Sequence, residues 1–220
     1  MSAKKSSKKK TAKTTAEKKA AKTTVKKTAV KLTGKKPPKA SVVSTKLAYK
    51  GPLFSVFTDE LREPNGTKGI RDVIRHSGSV VILAIDETNA AEPVVILEQQ
   101  YRHAAGQYLW ELPAGRREPG EAHLAAAKRE LLEETGYTAK KWKKLVRYYA
   151  SPGFLGEWME IWLARGISAG AAEPEADEHI RIVRMKLSEL QQRIVDGKIM
   201  DGKTIIGASV YAALRRAGRI

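Results

Sequence analysis

The chain of 220 residues contains no cysteine, so no disulfide can staple it. No stretch approaches the ~18 consecutive apolar residues of a membrane span. No apolar segment of roughly 7–15 residues follows the positive start, so a secretory leader is not expected. The first 40 residues lack arginine, which argues against a mitochondrial presequence, and they lack aromatic residues altogether. The four histidines (His76, His103, His123 and His179) do not cluster at metal-ligand spacing and read as ordinary surface or edge residues. The simplest expectation is a cytoplasmic protein, with association at the nucleoid as the finer alternative given the charge described next.

That charge is concentrated. Residues 1–40 hold 15 lysines and one glutamate, a net of +14 out of +17 for the whole chain, which leaves +3 for residues 41–220. The segment is Lys, Ala, Thr and Ser, ending in Lys35-Lys36-Pro37-Pro38-Lys39. It cannot bury enough apolar surface to offset its ordering entropy, so a disordered tail is expected over residues 1–44. Its composition resembles the tails of linker histones, and lysine runs contact phosphates without reading sequence. The tail is therefore expected to bind DNA or RNA non-specifically, against the plainer reading of a solubilising extension. Residues 45–220 have the size of one domain with a sizeable core.

Within that domain the informative stretch is Gly115–Tyr137, GRREPGEAHLAAAKRELLEETGY. Pro119-Gly120 signals a turn, and no Gly or Pro interrupts Glu121–Thr135, where strong helix formers dominate. Gly136 suits the left-handed position that ends a helix. The pattern predicts a helix over Glu121–Thr135, acidic at its start, packing through Leu124, Ala127 and Leu131 with Leu132 beside them. On it Glu130 and Glu134 are i,i+4 neighbours, and Glu130 and Glu133 are i,i+3 neighbours. Like charges so placed repel by roughly 0.2–0.5 kcal/mol per pair. Arg129, four residues before Glu133, offsets part of this, and the rest invites a cation. Hard oxygen donors favour Mg²⁺, with Mn²⁺ as the alternative. A bare Glu-rich helix is more often a solvated face. Here Gly115, Glu121, Arg129-Glu130, Glu133-Glu134 and Gly136 occur together at fixed spacing.

This joint spacing resembles the signature of the Nudix hydrolases. Every polar position of that signature is met, Leu131 fills the aliphatic place, and Tyr137 departs from the final aliphatic one. The resemblance implies an α/β fold, a Nudix-type α/β/α sandwich with a mixed β-sheet, and Mg²⁺-dependent hydrolysis of a nucleoside diphosphate linked to another group. Strands are expected at Leu53–Thr58, Ile70–Ile74, Ser79–Ile85, Val94–Tyr101, Lys143–Tyr149, Trp158–Ala164 and Ile180–Met185. Turns are expected at Pro64–Gly66 and Asp86–Ala91, and further helices at Leu187–Asp196 and Thr204–Arg215.

Three further segments are similar to the ADP-ribose pyrophosphatase branch: Glu98–Arg102 leading through Leu109–Gly115, Ser151–Phe154, and Glu173–Glu178. Pro152 stands at the distance beyond the signature that marks this branch. The resemblance implies metal ligands at Ala114 (through its carbonyl), Glu130, Glu133, Glu134 and Glu178. It leaves the general base open: a branch glutamate is replaced by Ala176, so Glu175, by a one-residue shift, or Glu133 is the candidate, with Glu178 as the metal-binding glutamate of that loop. Arg129 and Glu134 complete the catalytic set. Arg102, with its fork of donors, is expected on the phosphates. Tyr101, Trp110, Phe154 and Trp158 are candidates to stack on adenine, with Pro152 in the substrate loop. The mechanism this implies is in-line attack of a metal-activated hydroxide on phosphorus with no covalent intermediate, and the absence of cysteine closes a cysteinyl-phosphate route. A homodimer is implied, with residues 47–76 completing the partner's site. Competing functions are hydrolysis of GDP-mannose or another nucleotide sugar, RNA-end pyrophosphohydrolysis, and a catalytically silent nucleic-acid-binding module.

Overall fold

The structure, a computed structural model, describes residues 36–171 and 179–220. The expectations placed on residues 1–35 and on Glu175 and Glu178 lie outside the described residues. In chain order the described elements are β1 (Ser41–Lys50), β2 (Ser55–Arg62), β3 (Lys68–Ile74), β4 (Ser79–Asp86), β5 (Val94–Arg102), β6 (Gln107–Glu111) and β7 (Ala114–Arg116). Then follow α1 (His123–Thr135), β8 (Tyr137–Tyr149), β9 (Trp158–Ala169), β10 (Arg181–Lys186), α2 (Leu187–Val195) and α3 (Gly202–Arg216).

The main sheet runs β10-β5-β4-β9-β8, with β6 added beside β5 and β7 beside β4. β4 and β9 are parallel and the other pairs antiparallel, so the sheet is mixed, as expected. Its centre is β4, whose run Val80–Ile85 is fully buried. A strand apolar without alternation must have both faces covered. Val81, Leu83 and Ile85 pack with Leu187 and Leu190 of α2 and Ala208 and Tyr211 of α3. Val80, Ile82 and Ala84 pack with Ala126, Ala127 and Leu131 of α1. This is the α/β/α sandwich. A separate antiparallel sheet, β1-β2-β3, joins the 151–156 loop through the Ile74 N–H to Phe154 carbonyl bond and the Gly156 N–H to Ile74 carbonyl bond, both 2.8 Å.

Several boundaries differ from the sequence pattern. β1 begins at Ser41, so Ser41–Ser44, assigned above to the tail, are sheet. Its Ser/Thr/Lys composition hides it, because every residue of it is exposed and pairing with β2 alone holds it. α1 starts two residues later than expected, at His123, with Ala122 extended before it. Glu121 lies outside the helix because its carboxylate is engaged with Arg129 and the Glu118 N–H, so α1 has no acidic residue in its first turn. Leu132 is exposed, pointing away from the face formed by Leu131. Gly136 takes the left-handed conformation (φ 71°) and its N–H bonds to the Leu132 carbonyl. β8 then starts at once, longer than expected, because β9 extends far enough to pair with it back to Tyr137. β6 and β7 have no strong strand pattern and exist through pairing with β5 and β4.

Candidate active site

The short strand β7 and the helix α1 meet back to front. β7 is fixed on β4 by its ladder (Val81 opposite Ala114, Val80 opposite Gly115) and by the Ile82 N–H to Pro113 carbonyl bond of 2.8 Å. α1 lies against it through its carboxylate face. Glu134 accepts the Ala114 N–H at 2.9 Å, which ties one carboxylate oxygen to the strand backbone. Glu130 sits so close to Gly115 that a Cβ there would stand 2.0 Å from its Cδ. Only glycine permits that approach. Glu130 and Glu134 are both buried, while the Glu133 side chain is 42% exposed and reaches outward.

Buried carboxylates need partners. Arg129 is the hub: it pairs with Glu121 (3.1 Å), Glu130 (2.9 Å) and Glu133 (2.8 Å) and donates to the Arg116 carbonyl. Hydrogen bonds to Glu121 and then Glu133 raise its pKa well above the usual guanidinium value against the effect of burial. The same bond to Arg129 holds the Glu121 carboxyl below the ordinary range. Among the described residues no three His, Cys, Asp or Glu side chains are grouped closely enough to hold a metal ion by themselves. The donor chemistry nonetheless fits a hard divalent cation: four carboxylates (Glu118, Glu130, Glu133 and Glu134) and the β7 backbone border one cavity of about 510 Å³. Arg102, Arg116 and Arg129 share its wall, which suits an anion in its mouth.

Arg102 is on that wall, as expected, but its fork is already engaged. Nε and Nη2 donate to the two carboxylate oxygens of Glu111, each at 2.8 Å. Tyr101 is 47% exposed and edge-on to Tyr108 at 5.4 Å. Trp110 packs against the core under the Arg193 guanidinium (4.5 Å), which leaves it poorly placed to stack on a ligand. Pro152 and Phe154 do not line the carboxylate cavity. They border a second depression of about 340 Å³ with Ile74, Arg75 and Tyr149. Trp158 is sandwiched by His123 (5.0 Å) and Arg147 (4.2 Å), away from the cavity lining. His123 itself pairs at 3.1 Å with the fully buried Glu160, which Arg147 also grips. That network carried no sequence signal, since its four residues come from three elements, α1, β8 and β9.

Glu111 and Lys203 also escaped the sequence reading. Glu111 belongs to the Leu109–Gly115 segment named above, which was the available signal. Lys203, 92 residues further on, meets it only through the fold.

Residues 75–202 match the NUDIX domain family model. An ADP-ribose pyrophosphatase of Mycobacterium tuberculosis is 37% identical over 170 residues, covering 75% of this chain and 79% of that protein. A methanol dehydrogenase activator of Bacillus methanolicus is 33% identical, and an ADP-ribose pyrophosphatase of Bacillus subtilis 30%, each covering 80% of this chain and 93% of the relative. A crystal structure of an ADP compounds hydrolase superposes with a TM-score of 0.74 at 23% identity, covering 85% of this chain and all of that one.

The glycine contact yields a direct test. Gly115→Ala must displace the Glu130 carboxylate, and divalent-cation affinity should fall about 10–100-fold, the range for disturbed ligand supports. Calorimetric titration with Mn²⁺ reads this, and unchanged affinity would show that Glu130 does not face the ion.

Proposed function

The chain belongs to the Nudix hydrolase family, and from that premise we propose that it hydrolyses the pyrophosphate bond of a nucleoside diphosphate sugar, with ADP-ribose as the preferred substrate and AMP and ribose 5-phosphate as products. The observation that carries this reading is the single cavity bordered by Glu130, Glu133, Glu134, the β7 backbone and Arg102. The names of the Mycobacterium tuberculosis and Bacillus subtilis relatives support the choice of ADP-ribose.

Glu130, Glu133 and Glu134, with the Ala114 carbonyl, would hold Mg²⁺ or Mn²⁺. Such an ion, when bound, neutralises the diphosphate and acidifies a water. Arg129 orients the carboxylates, since it touches Glu130 and Glu133 at once. Glu133, the most exposed of the three, takes the proton from the attacking water, with Glu175 and Glu178 as the other candidates for base and ligand. Arg102 presents positive charge to the phosphates from the opposite wall. The exposed rings of Tyr101 and Phe154 are the better candidates to stack on the base, and Trp110 is withdrawn from that role. Pro152 would shape the rim beside Phe154.

Two associations complete the proposal. The β1–β3 sheet exposes Val42, Val43, Leu47, Tyr49 and Ile70, each by about half or more, which supports a homodimer formed through this sheet. The lysine run of residues 1–40 would hold DNA or RNA by charge alone and keep a cytoplasmic enzyme at the nucleoid. No helix among the described residues is long and apolar enough to cross a membrane.

Three measurements test these statements. With Mg²⁺, the purified protein should cleave ADP-ribose faster than ADP-glucose, GDP-mannose, diadenosine polyphosphates or triphosphorylated RNA, and Glu134→Gln should lose at least ~100-fold in kcat. Equal inertness of both proteins on every substrate would favour the silent binding module. Sedimentation equilibrium should give a dimer that Leu47→Asp weakens, and a monomeric wild type refutes the sheet-mediated pairing. Removal of residues 1–40 should abolish salt-sensitive retention on immobilised DNA and leave hydrolysis intact, whereas equal retention would show that the tail is not the tether.

A further inference from the structure

The wall of the cavity opposite α1 rests on a buried charge cluster that the motif does not contain. Glu98 and Glu111 face each other in the β5–β6 ladder and both are buried to 1% exposure or less. Arg102 grips Glu111 with two donors from the cavity side. From the other side Lys203, in the first turn of α3 and 7% exposed, donates to the same carboxylate. Burial pushes the Glu111 carboxyl up, but the Arg102 hydrogen bonds and the charge of Lys203 outweigh it, so it lies below the ordinary range. Glu111 is therefore an anion held between two cations, one on the cavity and one behind it.

Lys203 is itself held in place. Asp201 pairs with its Nζ at 3.2 Å and caps α3 by accepting the Thr204 N–H at 2.9 Å. Thr204 Oγ1 donates to Asp201 at 2.6 Å and accepts the Leu112 N–H at 2.8 Å, which fixes α3 to the chain between β6 and β7. Gly207, one turn on, lets α3 approach Leu112 so closely that a Cβ would come within 2.7 Å of it.

Resting on the proposed hydrolase activity, we propose that Lys203 is a positioning residue for substrate affinity: it neutralises Glu111 from behind, so that Arg102 keeps its positive charge available to the substrate's phosphates. Lys203 is not among the residues that line the cavity. Its influence passes through Glu111. Without it, Arg102 alone answers the Glu111 carboxylate, and the positive charge it can offer a diphosphate falls. A unit charge several ångströms away in a partly buried site changes anion affinity by about tenfold or more.

The test compares wild type, Lys203→Met, Lys203→Arg and the double variant Glu111→Gln/Lys203→Met in two assays. One is steady-state hydrolysis of ADP-ribose with Mg²⁺. The other is calorimetric titration of AMP into metal-free protein. Lys203→Met should raise KM by about tenfold with kcat within about threefold, and should weaken AMP binding in parallel. Lys203→Arg should restore much of the affinity. The double variant should also regain it, because removing the Glu111 charge again leaves Arg102 uncompensated. A purely structural Lys203 predicts the reverse, with the double variant worse than the single. Wild-type KM and AMP affinity in Lys203→Met, or a double variant no better than the single, overturns the proposal. If wild type hydrolyses no nucleotide sugar, the activity reading fails on its own while the AMP titrations still judge the charge relay.

Discussion

The contact on which the site depends is the close seating of α1 against the backbone of β7. Gly115 offers no side chain, so Glu130 comes down onto the strand, and Glu134 is tied to the Ala114 N–H. Both carboxylates thereby sit buried at a fixed distance from a backbone that has its own oxygen to offer. The arrangement works only because β7 is immovable. It is paired to β4, the most deeply buried strand of the sheet, and Pro113 is tethered to Ile82 just before it. The rigid centre of the fold and the chemically reactive edge of the helix are thus one packing problem.

Placing several carboxylates together in a partly dry site is unfavourable, and the molecule offsets it locally. Arg129 engages Glu121, Glu130 and Glu133 simultaneously. An ammonium could not, because a single point charge lacks the planar fork that reaches three carboxylates. The displacement of Glu121 from the helix into the turn before it serves this network. It sacrifices a favourable helix-terminus charge for a pair with Arg129. The opposite wall repeats the principle with different parts: Arg102 and Lys203 hold Glu111 from two sides, and α3 supplies the rear cation. Buried ion pairs of this kind contribute little net stability, and their value lies in fixing orientation and charge at the cavity.

The same architecture separates two surfaces. The carboxylate cavity is lined by α1, β7 and the end of β5, while Pro152 and Phe154 border their own depression beside β3. The β1–β3 sheet joins that depression through Ile74, whose backbone is hydrogen-bonded to Phe154 and Gly156 of the neighbouring loop. A dimer through this sheet would therefore bear directly on the shape of the second depression.

Much of this was legible in the chain. The spacing of Gly115, Arg129, Glu130, Glu133, Glu134 and Gly136 carried the helix, its C-terminal stop and its carboxylate face, because an α-helix converts fixed sequence intervals into fixed neighbours. The apolar run Val80–Ile85 and the strong strand segments carried the two-sided sheet. The start of α1, the strands β1, β6 and β7, and the true neighbours of Arg102 were not legible. Those depend on pairings between distant segments: Gln107–Glu111 is a strand only beside β5, and Lys203 meets Glu111 across 92 residues. The sequence by itself determined which acidic groups share a helix face and hence what chemistry the chain can attempt. Only the tertiary structure decided which cations answer them and where the aromatic rings stand, because charge and packing act through space and the local pattern records only near neighbours.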